Sequence, residues 1–365
     1  MDVDVFGGDG DHEQVVMCRD DRTGLKAIIA IHSTVLGPAL GGTRWKPYAS
    51  TDEALTDVLR LSRGMTYKSS AAGLDLGGGK AVIVGDPATD RSDELLTAYA
   101  RFVHSLSGRY ITAEDVGTTM ADMDFMSAES PYIAGISEAK GGSGDPSPVT
   151  SVGVFSAIRA TAQHLWNSDS LEGKHICLSG VGKVGSALAR HLAAAGAQLT
   201  VADVVEASAQ RVATETGATV VDVSKVHSVQ CDIFSPCALG AVLNDITIPE
   251  LACAAVVGAA NNQLERPDHA EVLRAAGIVY VPDFIANAGG VINISCEKDP
   301  GGYDRSRAEA KVTANVASAV TEVLQVANEK NITTAEAADR MAEARLEANA
   351  GTPRIRVFPK ETEKN

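Results

Sequence analysis

The chain has 365 residues and a formal net charge of −15 at pH 7. That length exceeds what one hydrophobic core organises and calls for two domains. The acidic balance argues against nucleic acid and anionic membrane as partners, both of which select basic patches.

No apolar run is long enough to span a bilayer. The acidic opening MDVDVFGGDGDHEQ lacks the basic start and apolar middle of a secretion signal. A cytoplasmic protein is expected, with its opening residues frayed to about Glu13. The six cysteines are scattered without a C-x-x-C, so free buried thiols are expected. The eight histidines show no metal-ligand spacing, and no metal site is expected.

In chain order, VVMC and LKAIIAIH read as strands, and the turn-rich LGPALGGTRWKPYAS follows. Ser50 and Glu53 form a capping box that opens a helix. Ala54, Val58, Leu61 and Met65 then alternate at spacings of four and three, one stripe of a helix. Lys68 is next on that stripe. It either snorkels to water at the helix end or points inward.

The stretch GLDLGGGKAVIV ends three glycines on Lys80. A phosphate-binding loop needs Gly six residues before the lysine and Ser or Thr after it. Leu74 and Ala81 stand there, so Lys80 has another role. The reading is a glycine-rich turn followed by the strand AVIVG, with Lys68 and Lys80 flanking the turn. A helix over ELLTAYARFVHSL and a short strand YIT lead to Glu114 and Asp115. KGGSGDPSPV is the strongest linker signal, followed by a helix from about Thr150 to Trp166.

The segment HICLSGVGKVGSALARHLAAAGAQLTVAD carries strand, glycine turn, helix, strand and acid in the order a dinucleotide-binding unit requires. Gly180 permits the tight turn, Gly182 lets the backbone approach the pyrophosphate, and Gly185 lets helix and strand pack closely. Val181, Lys183 and Val184 complete the loop, with Lys183 a solvated side chain near the phosphates. Asp203 is placed to accept from the ribose hydroxyls. No Arg or Lys follows it in VVEAS, and Asp203 and Glu206 would repel a 2′-phosphate, which favours NAD over NADP. Three later strand segments, CDIFSPCA, AAVVGAANNQ and IVYVPDFIANAGG, end in small or polar residues, as expected at a ligand crevice.

LGPALGGTR, GMTYKSSAAGLDLGGGKA, AEDVGTTMADMD, GVGKVG, SPCALG, GAANNQL and PDFIANAGGVI together resemble the Glu/Leu/Phe/Val amino-acid dehydrogenase family over nearly the whole chain, closest to its valine and leucine members. The resemblance implies an α/β protein: an N-terminal substrate and assembly domain over 1–146, a Rossmann domain over 147–330, and a C-terminal helical segment over 331–365 returning to the first. It implies reversible NAD-dependent deamination of a branched-chain L-amino acid to the 2-oxo acid, ammonia and NADH, by a homo-oligomer.

By the same resemblance Lys80 is the catalytic lysine and Asp115 the proton-relay carboxylate. Lys68 takes the substrate carboxylate. Gly41 and Asn262 touch substrate, and Leu40, Ala113, Val291 and Ile294 shape its side-chain pocket. Thr150, Cys237, Ala238 and Asn261 lie by the cofactor. On this reading the glycines before Lys80 keep the way to the lysine open, and burial with Lys68 nearby lowers the lysine's proton affinity. A phenylalanine dehydrogenase of the same family is the alternative. A 2-hydroxy-acid dehydrogenase is less favoured, since no histidine sits in a convincing strand-end motif.

Overall fold

The computed structural model describes residues 12–238 and 240–351. Of the opening expected to be frayed, residues 1–11 lie outside these, while Glu13 donates its N–H to the carbonyl of His32 at 3.3 Å. Among the described residues no helix is long and apolar enough to cross a membrane.

The chain divides into two compact units. The first runs to Asp145 and takes in Ile294–Asp304 and the chain from Ala342; the second comprises Pro146–Asn293 and Arg305–Met341. The sequence reading had placed 294–304 in the Rossmann domain and begun the returning segment at 331. The chain instead visits the first unit briefly after Asn293 and joins it again only at Ala342.

In the first unit β1 (Gln14–Asp20), β2 (Leu25–Ser33), β3 (Ala39–Leu40), β4 (Thr43–Lys46), β5 (Gly77–Val84) and β6 (Tyr110–Ile111) form one mixed sheet. Its order is β1-β2-β5-β3-β6, with β4 also pairing β5. The helices are α1 (Thr51–Ala71), α2 (Pro87–Asp90), α3 (Asp93–Ser105) and α4 (Met120–Met126).

Both faces of the central strands are covered, so β2 carries the apolar run AIIAI and β5 the run AVIV. Ile28, Ala30 and Val82 pack with Ala54, Val58 and Leu59 of α1. The alternate residues Ile29, Ile31, Ala81 and Ile83 pack with Leu95, Leu96 and Tyr99 of α3. Successive side chains of a strand point to opposite faces, so Lys80 shares the α1 face with Val82.

The glycines before Lys80 are the interior of a strand, not a turn. Gly77, Gly78 and Gly79 are buried in β5, Gly78 opposite both Ser33 and Leu40. A Cβ on Gly77 would stand 1.9 Å from the carbonyl oxygen of Ser33, one on Gly78 2.0 Å from the backbone nitrogen of Thr66, and one on Gly79 2.8 Å from the ring of Tyr110. Their smallness lets α1 and the neighbouring strands close onto β5, which replaces the open-access reading. The buried face of α1 follows suit. Beyond Ala54 and Val58 it runs through Ser62, Thr66, Ser69 and Ser70, whereas Leu61, Met65 and Lys68 are only half-buried.

The second unit begins with α5 (Ser147–Trp166). Its sheet contains β7 (His175–Ser179), β8 (Gln198–Ala202), β9 (Thr219–Val220), β10 (Ile233–Pro236), β11 (Ala255–Val256) and β12 (Val279–Tyr280). All its pairings are parallel, in the order β12-β11-β10-β7-β8-β9. This is the doubly wound Rossmann order, whose reversal point lies between β7 and β10. The helices are α6 (Lys183–Ala194), α7 (Glu206–Thr216), α8 (His269–Ala275), α9 (Asp283–Ala286), α10 (Gly289–Ser295) and α11 (Arg305–Lys330), followed by α12 (Thr334–Asn349). β11 and β12 are shorter than the apolar runs in the sequence. GAANNQ is loop, and PDFIANAGG supplies α9 and the start of α10.

Candidate active site and dinucleotide cradle

In the first unit Lys80 is 5% exposed, and its Nζ lies 3.0 Å from Oδ1 of Asp115. Burial lowers its proton affinity below the ordinary lysine value, against the attraction of Asp115, and the positive charge of Arg44 adds to the lowering. The sequence reading had assigned the like-charged neighbour to Lys68; Arg44 is the cation among the principal causes. Lys68 stands in the last turn of α1, half-buried.

Asp115 follows β6 in a turn pinned by Thr118. The Asp115 N–H donates to Thr118 Oγ1 at 2.9 Å, and that hydroxyl donates to the carbonyl of Thr43 at 2.9 Å. Leu40 and Gly41 lie beside this strand end. Gly41 donates its N–H to the carbonyl of Ile111 at 3.1 Å, and its own carbonyl accepts from Tyr110 Oη at 2.5 Å. A Cβ on Gly41 would stand 1.7 Å from the carbonyl oxygen of Gly79, so only glycine fits. Leu40 and Ala113 are each 3% exposed. Ala113 is tied in by its carbonyl, which accepts from Thr43 N–H at 2.9 Å. Ile294, also in this unit, is half-buried.

The unit therefore offers a buried lysine against a carboxylate, with a second lysine on the adjoining helix. Sequence reasoning missed Arg44 and Asp57, which hold the carboxylate from behind. Arg44 closes the quoted GGTR, the one local hint; its partners lie 13 and 71 positions away.

In the second unit the three glycines of the fingerprint meet three different surroundings. Gly180 has φ +100°, and a Cβ there would meet that of Ala238 at 2.6 Å. Nothing lies within 4 Å of a Cβ on Gly182, which leaves room for a phosphate against the backbone. A Cβ on Gly185 would stand 2.1 Å from the carbonyl oxygen of Gly180, so it permits α6 to pack. The start of α6 thus turns its positive dipole end toward that space. Val181 is buried, Val184 half-buried and Lys183 exposed.

Asp203, at the end of β8, accepts from the N–H of Val181 and of Val205, each at 2.8 Å. It therefore braces the glycine turn from beneath. Cys237 and Ala238 follow β10 across the reversal point, Cys237 half-buried and Ala238 exposed. Further along the same sheet end, Asn261 Oδ1 accepts from Asn287 Nδ2 at 2.7 Å. Asn262 takes the left-handed conformation, φ +51°, and donates its N–H to Asp283 Oδ2 at 2.5 Å. Thr150 lies in the first turn of α5, close enough to Gly289 and Gly290 that neither could carry a side chain freely. Val291 is buried on α10.

The predicted residues thus fall into two groups. Lys68, Lys80, Asp115, Leu40, Gly41, Ala113 and Ile294 belong to the first unit. Thr150, the glycine loop, Asp203, Cys237, Ala238, Asn261, Asn262 and Val291 belong to the second. Among the described residues one metal-like group appears, Asp245, Glu265 and His269. Arg266 already binds both oxygens of Asp245, at 2.9 and 3.0 Å. The His269 ring is also engaged on both sides, by the Arg266 N–H and by Asp245. That group reads as an ion-pair cluster.

Comparison with known proteins supplies the lineage. Residues 12–132 match the model of the Glu/Leu/Phe/Val dehydrogenase dimerisation domain. Residues 141–205 and 200–350 match that of the glutamate/leucine/phenylalanine/valine dehydrogenases. A leucine dehydrogenase of Geobacillus stearothermophilus is 52% identical over 337 residues, covering 92% of this chain and 91% of the relative. A valine dehydrogenase of Streptomyces coelicolor is 50% identical over 341 residues, covering 92% and 93%. The crystal structure of an L-tryptophan dehydrogenase from Nostoc punctiforme superposes with a TM-score of 0.84 at 44% identity, covering 93% of this chain and 97% of that one.

Proposed function

Because the chain belongs to the Glu/Leu/Phe/Val dehydrogenase family, we propose that it is an NAD-dependent oxidoreductase that reversibly deaminates branched-chain L-amino acids. The products are the 2-oxo acid, ammonia and NADH. The observation that carries the reading is the buried Lys80 with its ammonium nitrogen 3.0 Å from Asp115. Relatives named leucine and valine dehydrogenase, at about half identity along almost the whole length, support the substrate class.

Bound NAD supplies the hydride acceptor. Gly182 and the start of α6 would hold its pyrophosphate, with Gly180 and Gly185 shaping the turn, and Asp203 would accept from the adenine ribose. The negative charge at Asp203 disfavours a 2′-phosphate.

Lys68 supplies fixed positive charge for the substrate carboxylate. Lys80, whose proton affinity burial lowers, accepts at Nζ the proton released when water adds to the substrate iminium carbon. Asp115 relays that proton from Lys80 to the amine nitrogen; the C–N bond then breaks to release ammonia as the hydroxyl closes to the carbonyl and gives its proton to Lys80. The match of residues 12–132 to a dimerisation domain supports assembly as a homo-oligomer.

The test is Lys80→Ala. Deamination falls by at least about 10²-fold while NAD binding, measured by fluorescence quenching or calorimetry, stays near wild type. A variant that keeps more than about a per cent of kcat refutes the general-base assignment. Lys68→Ala raises KM for the amino acid; an unchanged KM refutes its carboxylate role.

A further inference from the structure

Only one oxygen of Asp115 faces Lys80. The other, Oδ2, accepts from Arg44 Nε at 3.0 Å. Arg44 donates in turn from Nη1 to Asp57 Oδ2 at 3.0 Å. Asp57 is itself held by the Tyr48 hydroxyl at 2.8 Å and by Arg60 Nη2 at 3.3 Å. Arg44 comes from β4, Asp57 from α1 and Asp115 from the turn after β6, so one chain of ion pairs ties three elements together behind the carboxylate.

The network is sheltered. The side chains of Arg44, Asp57 and Asp115 are 21%, 13% and 23% exposed. A sheltered ion network is weak evidence for stability, because removing its charges from water offsets most of their attraction. A role in setting the site accounts for it better. Arginine does not give up its proton in proteins, so Arg44 serves as a fixed charge and a fixed pair of donors.

We propose that Arg44, held in place by Asp57, is a positioning residue of the deamination: it fixes the Asp115 carboxylate with Oδ1 toward Lys80. The proposal rests on the assignment of Lys80 and Asp115 made above.

Two effects follow. Anchoring holds Asp115 to one oxygen on Lys80, because Arg44 keeps the other. Arg44 also limits how strongly Asp115 stabilises the Lys80 ammonium, because it takes a share of the same carboxylate and adds a like charge. The charged groups around Lys80 are Asp115 and Arg44, with Asp57 behind them; Lys68 stands on the helix packed on the same sheet face. Burial and Arg44 both press Lys80 toward its neutral form, and Asp115 opposes them. Removing Arg44 therefore moves the loss of the Lys80 proton to higher pH.

The experiment measures Lys80 ionisation directly. Competitive labelling with a small acylating reagent, read at Lys80 by mass spectrometry across pH, is run on wild type, Arg44→Met and Arg44→Lys. The midpoint rises by about one pH unit in Arg44→Met and stays near wild type in Arg44→Lys, which keeps the charge. Steady-state kinetics with L-valine then show kcat lowered about 10–100-fold in Arg44→Met, with KM for valine within about threefold. A purely structural role would leave the midpoint where it is.

A midpoint and kcat both at wild-type values in Arg44→Met overturn the proposal. So does a wild-type kcat in Asp57→Asn, which keeps the size of the side chain while loosening Arg44, and this holds even where the Arg44 variants do not fold. If Lys80→Ala stays active, the catalytic reading itself is wrong; the labelling midpoints still report whether Arg44 governs Lys80, so the two failures are told apart.

Discussion

Replacing Gly78 with alanine places a methyl 2.0 Å from the backbone nitrogen of Thr66 and 2.2 Å from its hydroxyl. Ordinary contact between such atoms needs roughly 3.5 Å, so α1 and β5 must part by about 1.5 Å. The obstacle is backbone, which does not rotate away. The same movement pulls Thr66 Oγ1 from its 2.8 Å contact with His32 Nδ1. Overpacking of this kind costs about 1–3 kcal/mol, or a fall in Tm of roughly 2–12 °C at about 2–4 °C per kcal/mol. Lys68 lies two residues along the displaced helix, so KM for the amino acid rises roughly tenfold through a weakened charged contact. Gly64→Ala on the same helix is the control. Nothing lies within 4 Å of a Cβ there, and alanine in an exposed helix position is worth about 0.5–1 kcal/mol over glycine. Differential scanning calorimetry and steady-state kinetics on both variants decide the matter. A Gly78→Ala protein with wild-type Tm and KM refutes the claim that the glycines exist to seat α1 on β5.

Three further outcomes are expected. Asp203→Ser combined with Val204→Arg narrows the preference for NAD over NADP, read as the ratio of kcat/KM for the two cofactors. It also lowers Tm modestly, because the backbone N–H groups of Val181 and Val205 lose their acceptor. Leu40→Gly improves phenylalanine relative to valine in kcat/KM, at a stability loss of about 2–5 kcal/mol for the cavity left by a buried leucine; a ratio that does not move removes Leu40 from the pocket. Arg345→Gln raises KM for the amino acid with little change in NAD binding. Arg345 Nη1 donates to the carbonyls of Ser70 and Leu74 at 3.0 and 2.8 Å, steadying the end of the helix that carries Lys68; an unchanged KM argues that this end holds itself.

The parts of the molecule set by local spacing were readable from the sequence. The strand, glycine turn, helix and acid of the cradle follow from residues close in the chain, and Gly180, Gly182 and Gly185 show the three surroundings their spacing implied. The triple glycine was misread as a turn, because glycine normally weakens a strand interior and nothing local reveals that Thr66 and Tyr110 press on it. The buried face of α1 was misjudged for a related reason. Ser62, Thr66 and Ser69 look solvent-facing by polarity. They are buried because they are small and because two of them have partners: Ser62 Oγ meets His12 Nε2 at 2.8 Å, and Thr66 meets His32. Leu61 and Met65, the more apolar choice, are left half-buried beside Lys68. Arg44 escaped notice because its meaning depends on two carboxylates from elsewhere in the chain, which only the folded sheet brings to it.

The central claim is tested most directly by following NADH absorbance with the purified protein, NAD and a panel of L-amino acids, and in reverse with 2-oxo acids, ammonia and NADH. Valine, leucine and isoleucine are oxidised efficiently, phenylalanine poorly and glutamate not at all, since Leu40 and Ala113, buried in the same unit as Lys80, offer no cation for a γ-carboxylate, and burying that charge unpaired costs several kcal/mol. Replacing NAD by NADP lowers the rate sharply, and Lys80→Ala abolishes it in both directions. A protein that oxidises glutamate or a 2-hydroxy acid in preference to the branched-chain amino acids would contradict the account.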